Sequence, residues 1–236
     1  MKTVIITGAN RGLGAALVQG FANADLHVIG TARQPSSLEK SNCDAHALDL
    51  AEAESVAAFA DAVARKGDPV DLLIHNAGFN PKDRKDDPGY FQSTFSIKTF
   101  SAGNVAETLW INALMPMELT SRLLPSLAKD AVVLSISSWL GSIGGKTSGG
   151  HYGYAGSKAL LNMFTRALAL EFAGDEAANR AAVALNPGWM RTDMGGQNAE
   201  TTPEDVAEQV LVMWSDGALH RANGEFLNSD GTRHAW

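Results

Sequence analysis

The stretch His151–Met163 reads HYGYAGSKALLNM and carries two tyrosines, of which only Tyr154 has a lysine, Lys158, four residues downstream. Side chains four apart on a helix share a face, so this phenol and this ammonium can reach one cleft. The chemistry open to such a pair is proton transfer, with the phenol as acid and the cation stabilising the phenolate. A free phenol has a pKa of about 10 and exchanges its proton slowly at neutral pH, so it needs such a neighbour. The competing reading is two side chains that happen to share a helix face, and the spacing alone does not choose between them.

A second constellation opens the chain. TGANRGLG, Thr7–Gly14, follows a β-branched run and begins a helical pattern, which is the setting a dinucleotide-phosphate loop requires. Glycines at 8, 12 and 14 let backbone pass close to a pyrophosphate while N–H groups meet its charge. Gly8, Asn10, Arg11, Gly12, Leu13 and Gly14 are therefore candidate contacts. The spacing is G-x3-G-x-G rather than G-x-G-x-x-G, and the bland alternative is a tight strand-to-helix turn with no ligand. The second strand ends Gly30-Thr31-Ala32-Arg33, where a dinucleotide site usually has a carboxylate for the ribose 2′-hydroxyl. Arginine stands there instead. Arg11 and Arg33 converging on one point suit a 2′-phosphate, which a guanidinium grips as a fork, so NADP(H) is expected over NAD(H). GSIGGKT imitates a P-loop, but Leu140 occupies the position that motif gives to glycine.

These groups need a frame. The strands read from the sequence are Thr3–Thr7, His27–Ala32, Ala45–Leu48, Leu72–His75, Ala131–Ser137, Ala181–Leu185 and Glu225–Asn228. Between them lie amphipathic or alanine-rich helical stretches such as AALVQGFANA, SVAAFADAVARKG and MPMELTSRLLPSLAK. Strand-then-helix alternation implies parallel neighbours joined by crossovers. The expected fold is an α/β Rossmann-type doubly wound sheet of about seven strands, helices on both faces, in one domain over residues 1–236. PKDRKDDPGY at 81–90 is expected to be a solvated loop, and the glycine-rich 141–153 stretch a mobile one. Both follow strands at the end where open α/β sheets bind ligands.

Composition narrows the class. The 236 residues are 45% hydrophobic and 19% charged, with a formal charge of −7 and a pI near 5.3. An acidic chain argues against a nucleic-acid footprint, which needs a basic face. Cys43 is the only cysteine, so no intrachain disulfide forms. The apolar run in MKTVIITGAN is too short for a signal-peptide core, and no stretch approaches the ~20 apolar residues of a membrane span. A cytoplasmic protein is expected. The six histidines lack the close pairing of a zinc motif, and no structural metal is expected.

Taken together, these motifs resemble the classical short-chain dehydrogenases/reductases nearly from end to end. TGANRGLG looks like their cofactor loop, and Asp49-Leu50 like the pair that meets the adenine. Asn76-Ala77-Gly78 matches their N-A-G motif, although His75 stands where many members carry asparagine. WINALMP, LSISS and YAGSK place Asn112, Ser138, Tyr154 and Lys158 on the family's catalytic tetrad. NPGWMRTDM, with Pro187, Gly188 and Thr192, matches the segment after the sixth strand. SSWLGSIGG and the ending GEFLNSDGTRHAW look like the C-factor-like, carbonyl-reductase-like branch.

The resemblance implies strand order 3-2-1-4-5-6-7 and carbonyl reduction by NADPH. Tyr154 would be the general acid, with its pKa drawn down by the ammonium and by the positive nicotinamide formed on hydride loss. Lys158 would also bind the nicotinamide ribose, Ser138 would donate to the substrate oxygen, and Asn112 would hold a water linking the lysine to solvent. Thr192 would bond the nicotinamide carboxamide, its alternative being a helix N-cap. Adjacent residues of a strand face opposite sides, so Ser137 competes with Ser138. The resemblance favours the second, even though sixteen positions separate it from Tyr154. Helices around Asn112 and Tyr154 often form a dimer interface in this family, so a homodimer or homotetramer is expected. The competing class is an NADP(H)-binding regulator without turnover. Trp139, Trp189, Met190 and Met194 suggest an apolar pocket, and the substrate itself is not legible.

Overall fold

In the computed structural model, which describes all residues except 85, 193–195 and 197, the short β-branched run Thr3–Ile6 forms a fully buried strand, β1. Its side chains alternate between two cores. Val4 and Ile6 belong to one, and Ile5 to the other, as the two-residue period of a strand requires. A strand covered on both faces reads as unbroken hydrophobicity, and that is what the sequence carries here.

Six further strands pair in parallel around β1: His27–Ala32 (β2), Asp44–Ala47 (β3), Val70–His75 (β4), Leu127–Ile136 (β5), Ala181–Asn186 (β6) and Phe226–Asn228 (β7). The order is β3-β2-β1-β4-β5-β6-β7, as expected. Register is fixed by apolar partners such as Val4↔Val28, Val4↔Leu72 and Leu134↔Val183.

Helices Gly12–Asn23 (α1) and Pro203–Ser215 (α7) cover one face, with Leu17, Phe21, Val206 and Val210 buried against it. The other face is covered by Ala53–Lys66 (α2), Met115–Leu123 (α5) and Tyr152–Ala173 (α6), which contribute Val56, Phe59, Leu119, Leu123 and Phe172. Two shorter helices, Pro88–Phe95 (α3) and Ala102–Leu109 (α4), follow β4, and Ala218–Arg221 (α8) precedes β7. Among the described residues no helix is long and apolar enough to cross a membrane.

Two departures from the sequence reading exceed the one- or two-residue shifts at the other strand ends. MPMELTSRLLPSLAK is not helical to its end. Pro125 breaks α5 into a 3-10 turn at Leu124–Ser126, and β5 begins at Leu127, because proline removes a donor and crowds the preceding turn. The polar pair Lys129-Asp130 hid that early start, since Val70 pairs with Leu127 but Leu72 pairs with Val132. The residues between bulge out of the ladder. Between α4 and α5 the chain makes one π turn, Trp110–Leu114, which the periodicity did not signal.

The strand order reverses between β1 and β4. Connections leaving the carboxyl ends of these strands diverge there, opening a crevice where sheets of this type take their ligands.

Candidate active site

The crevice is a cleft of about 1010 Å³. Its floor is the glycine loop between β1 and α1. Gly8 has φ +66° and Gly12 φ +52°, the left-handed region that other residues reach at a cost. A Cβ on Gly14 would lie 2.0 Å from Gly8 O and 2.6 Å from Asn76 Nδ2, so the loop closes only around glycine.

Thr7 and Asn76 fasten this loop to the end of β4. The Thr7 hydroxyl donates to Ile74 O and accepts from the N–H of Asn76 and of Ala77, both at 3.0 Å. Asn76 Nδ2 donates to Thr7 O at 2.9 Å and Gly8 O at 3.0 Å. The N-terminus of α1 has no side-chain cap and no acidic residue in its first turn, which leaves its dipole and N–H groups to attract an anion. Thr31 Oγ1 is buried with no hydrogen-bond partner, and Thr31 lines the same cleft. This glycine cradle, positive helix end and orphaned hydroxyl fit a dinucleotide.

Of the candidate contacts, Gly8, Asn10, Arg11, Gly12, Leu13, Gly14, Arg33, Asp49, Leu50, Asn76, Ala77, Gly78, Pro187 and Thr192 all line the cleft. Gly188 does not. It is exposed, and its N–H donates to Asn186 Oδ1 at 3.2 Å. Met190 also lines the cleft, whereas Met194 lies outside the described residues. One oxygen of Asp49 is taken up locally, accepting from Ala51 N–H at 2.9 Å.

Tyr154 and Lys158 stand at the far end of the cleft, on one face of α6, with Lys158 Nζ 5.9 Å from the centre of the Tyr154 ring. Lys158 is buried and donates to Ile136 O at 2.8 Å, which fixes the ammonium at the end of β5. Burial lowers its pKa to about 8.

The phenol departs from expectation. Burial pushes Tyr154 up to about 12, a hydrogen bond with Ser138 works against that rise, and the Asp83 carboxylate adds to it. The reason is physical: a buried phenolate loses more hydration than the single Ser138 hydrogen bond returns, and the Asp83 charge opposes it further. The protein groups by themselves hold this tyrosine as a protonated donor rather than an acidified one.

The two serines at the end of β5 are separated in kind. Ser137 lines the cleft, but its hydroxyl donates to Asn162 Oδ1 at 2.6 Å. Ser138 is not among the lining residues, yet its hydroxyl meets the Tyr154 phenol and also accepts from Leu140 N–H at 3.2 Å.

Asn112 sits in the π turn behind the cleft wall. Its Oδ1 accepts from Phe79 N–H at 2.7 Å, while Nδ2 donates to Phe79 O at 2.8 Å and to Ser157 Oγ at 3.0 Å. Ser157 Oγ in turn donates to Tyr154 O at 2.8 Å. Both Nδ2 hydrogens are therefore engaged, and the amide ties the chain after β4 to the turn of α6 that carries the tyrosine.

The charged run at 81–90 was expected to be a solvated loop at the ligand-binding end of the sheet. Lys82 and Asp83 are exposed, and Asp83 and Arg84 line the cleft together with Phe79 and Glu107. Arg84 forms an ion pair with Glu107 and lies 3.9 Å over the Tyr90 ring, and the Tyr90 hydroxyl donates to Glu107 Oε2 at 2.9 Å. The signal available was position, since this charged run directly follows Asn76-Ala77-Gly78 at a ligand-binding strand end.

Comparison with known proteins agrees with this fold. Residues 2–203 match the family model described as short chain dehydrogenase. The chain is 34% identical over 170 residues to the protein named C-signal of Myxococcus xanthus, a match covering 71% of this chain and 93% of that one. Carbonyl reductase Sniffer of D. melanogaster superposes with a TM-score of 0.85 at 29% identity, over all of both chains. The NADPH-bound carbonyl reductase from chicken fatty liver superposes with a TM-score of 0.84 at 28% identity, covering 100% of this chain and 99% of that one.

Proposed function

The chain belongs to the short-chain dehydrogenase family, and from that premise we propose that it is an NADP(H)-dependent reductase of aldehydes or ketones in which Tyr154 supplies the proton. One observation carries this reading. The Tyr154 phenol, hydrogen-bonded by Ser138 and backed by Lys158, faces the same cleft as the glycine cradle.

The cofactor preference is supported by Arg11 and Arg33 on that cleft, by the lack of a carboxylate after β2, and by the NADPH-bound neighbour. When bound, the reduced dinucleotide supplies the hydride. The remaining work falls to side chains of this chain. Ser138 holds the substrate oxygen by donating to it, favouring the negative charge that grows there in the transition state. Tyr154 then delivers its proton to that oxygen, and a phenol protonated up to about pH 12 is available for this at any physiological pH. Lys158, anchored on Ile136 O, stabilises the phenolate left behind, which regains its proton from solvent after the alcohol leaves. Asn112 keeps α6 and the chain at Phe79 in register, so that the phenol stays aimed.

A regulator that only senses the nucleotide has no use for a donor aligned in this way. The test is NADPH consumption against a panel of aldehydes and ketones, with NADH in parallel. Turnover with NADPH, and at least tenfold less with NADH at equal concentration, is expected. Tight NADPH binding without turnover on a broad panel would overturn the reading.

A further inference from the structure

We propose that Asp83 sets the substrate class, favouring carbonyl compounds that carry an ammonium or hydroxyl donor near the carbonyl and disfavouring those that carry a carboxylate. The proposal rests on the reductase reading above. The turn Pro81–Asp83 is seated rather than loose. Pro81 is buried, Asn80 Oδ1 accepts from Lys82 N–H at 3.1 Å, and Asp83 N–H donates to Asn80 O at 2.8 Å. Asn80 and Pro81 also border, with Tyr154 and His151, a small void beside the cleft, which puts this turn at the reacting end. Asp83 itself shares the main cleft with Tyr154.

Among the described residues at that end, Asp83 is a charged group without a protein counterpart. Arg84 and Glu107 pair with one another, and Lys158 donates to Ile136 O. Arg11, Arg33 and Asp49 belong to the other end of the cleft, by the first three strands. Lys82 and Lys146 act on His151 and do not line the cleft. The Asp83 carboxylate has no hydrogen-bond or ion-pair partner among the described residues. An exposed carboxylate left unpaired at the rim of a cleft attracts a donor and repels an anion, and like-charge juxtaposition is an effective means of rejecting a wrong ligand.

The test uses acetophenones bearing para-aminomethyl, para-methyl or para-carboxylate groups, in the wild type, Asp83→Asn and Asp83→Lys, at neutral pH. Electronic effects of the substituents cancel when each compound is compared between proteins. In the wild type kcat/KM is expected to favour the ammonium compound over the carboxylate by about tenfold. Asp83→Asn should erase that preference and Asp83→Lys invert it, with NADPH affinity unchanged. A second readout needs no turnover: benzylamine and benzoate binding to the NADPH-loaded proteins, measured by calorimetry, should follow the same order. Ratios equal across the three proteins in both readouts overturn this proposal and leave the reductase reading intact. Binding that follows residue 83 without turnover of any ketone supports the proposal while overturning the reductase reading.

Discussion

The hydroxyl of Ser137 donates to Oδ1 of Asn162 at 2.6 Å, in a buried contact between the end of β5 and the middle of α6. That bond occupies the Ser137 hydrogen, and in the proposed mechanism the donor beside Tyr154 is therefore Ser138. Ser138→Ala should lower kcat about 100-fold, the scale of losing one donor to a developing oxyanion. Ser137→Ala should keep kcat within a few-fold and instead reduce stability by about 1–3 kcal/mol, since it strands a buried acceptor. Steady-state kinetics and urea unfolding of both variants separate the roles. The opposite pattern would exchange the two serines.

The pH profile should be governed by Lys158 rather than by Tyr154. The phenol remains protonated to about 12, whereas the ammonium is charged only below about 8. Reduction should therefore hold steady through neutral pH and fall as pH rises past about 8, as the charge that stabilises the phenolate disappears. Lys158→Met should lower the plateau and remove this limb. Profiles of kcat/KM from pH 6 to pH 10 would show it.

Nucleotide choice should lie with Arg33 and Arg11. Replacing Arg33 by alanine is expected to weaken NADPH binding by about tenfold or more, a charge-assisted hydrogen bond or two. NADH binding should barely change. Fluorescence titration with both nucleotides checks this.

Gly14→Ala should disable the floor of the cleft. Its Cβ would meet Gly8 O at 2.0 Å, and backbone on both sides must move. A loss of about 2–3 kcal/mol of stability together with loss of measurable NADPH binding is expected, and urea unfolding with the same titration reads both.

His75 makes the fold acid-sensitive. Thr120 donates its own hydrogen to Pro116 O, so His75 Nε2 must be the donor in their 2.7 Å contact, and Nδ1 is left as an acceptor without a partner. Burial drives the ring down to about 3, below its ordinary 6.5. The unfolded chain then binds a proton that the native state refuses, so this contribution is complete above pH 6.5 and shrinks as pH falls towards 3. The slope approaches about 1.4 kcal/mol per unit. His75→Asn should flatten the urea midpoint measured between pH 6.5 and pH 4.5 relative to wild type.

Much of this was legible because strong local signals agreed. β-branched runs set the strands, and the glycine loop followed one of them. Tyr154 and Lys158 fell on a helix that crosses its end. Illegible features came from competition between levels of structure. Lys129-Asp130 looked like a strand boundary and proved to be a bulge within β5, which only the pairing with β4 reveals. Arg84 looked solvated because charge usually is, yet it is drawn inward by the Tyr90 ring and Glu107. The raised phenol could not be read at all, since desolvation depends on neighbours that spacing does not specify.

The account turns on the Tyr154 hydroxyl as proton donor. The direct measurement is single-turnover NADPH oxidation by Tyr154→Phe with a reactive aldehyde, alongside NADPH affinity of the same protein. A fall in rate of about a thousandfold or more, with NADPH affinity within a few-fold of wild type, is the expected result. Equal rates in the two proteins would contradict it.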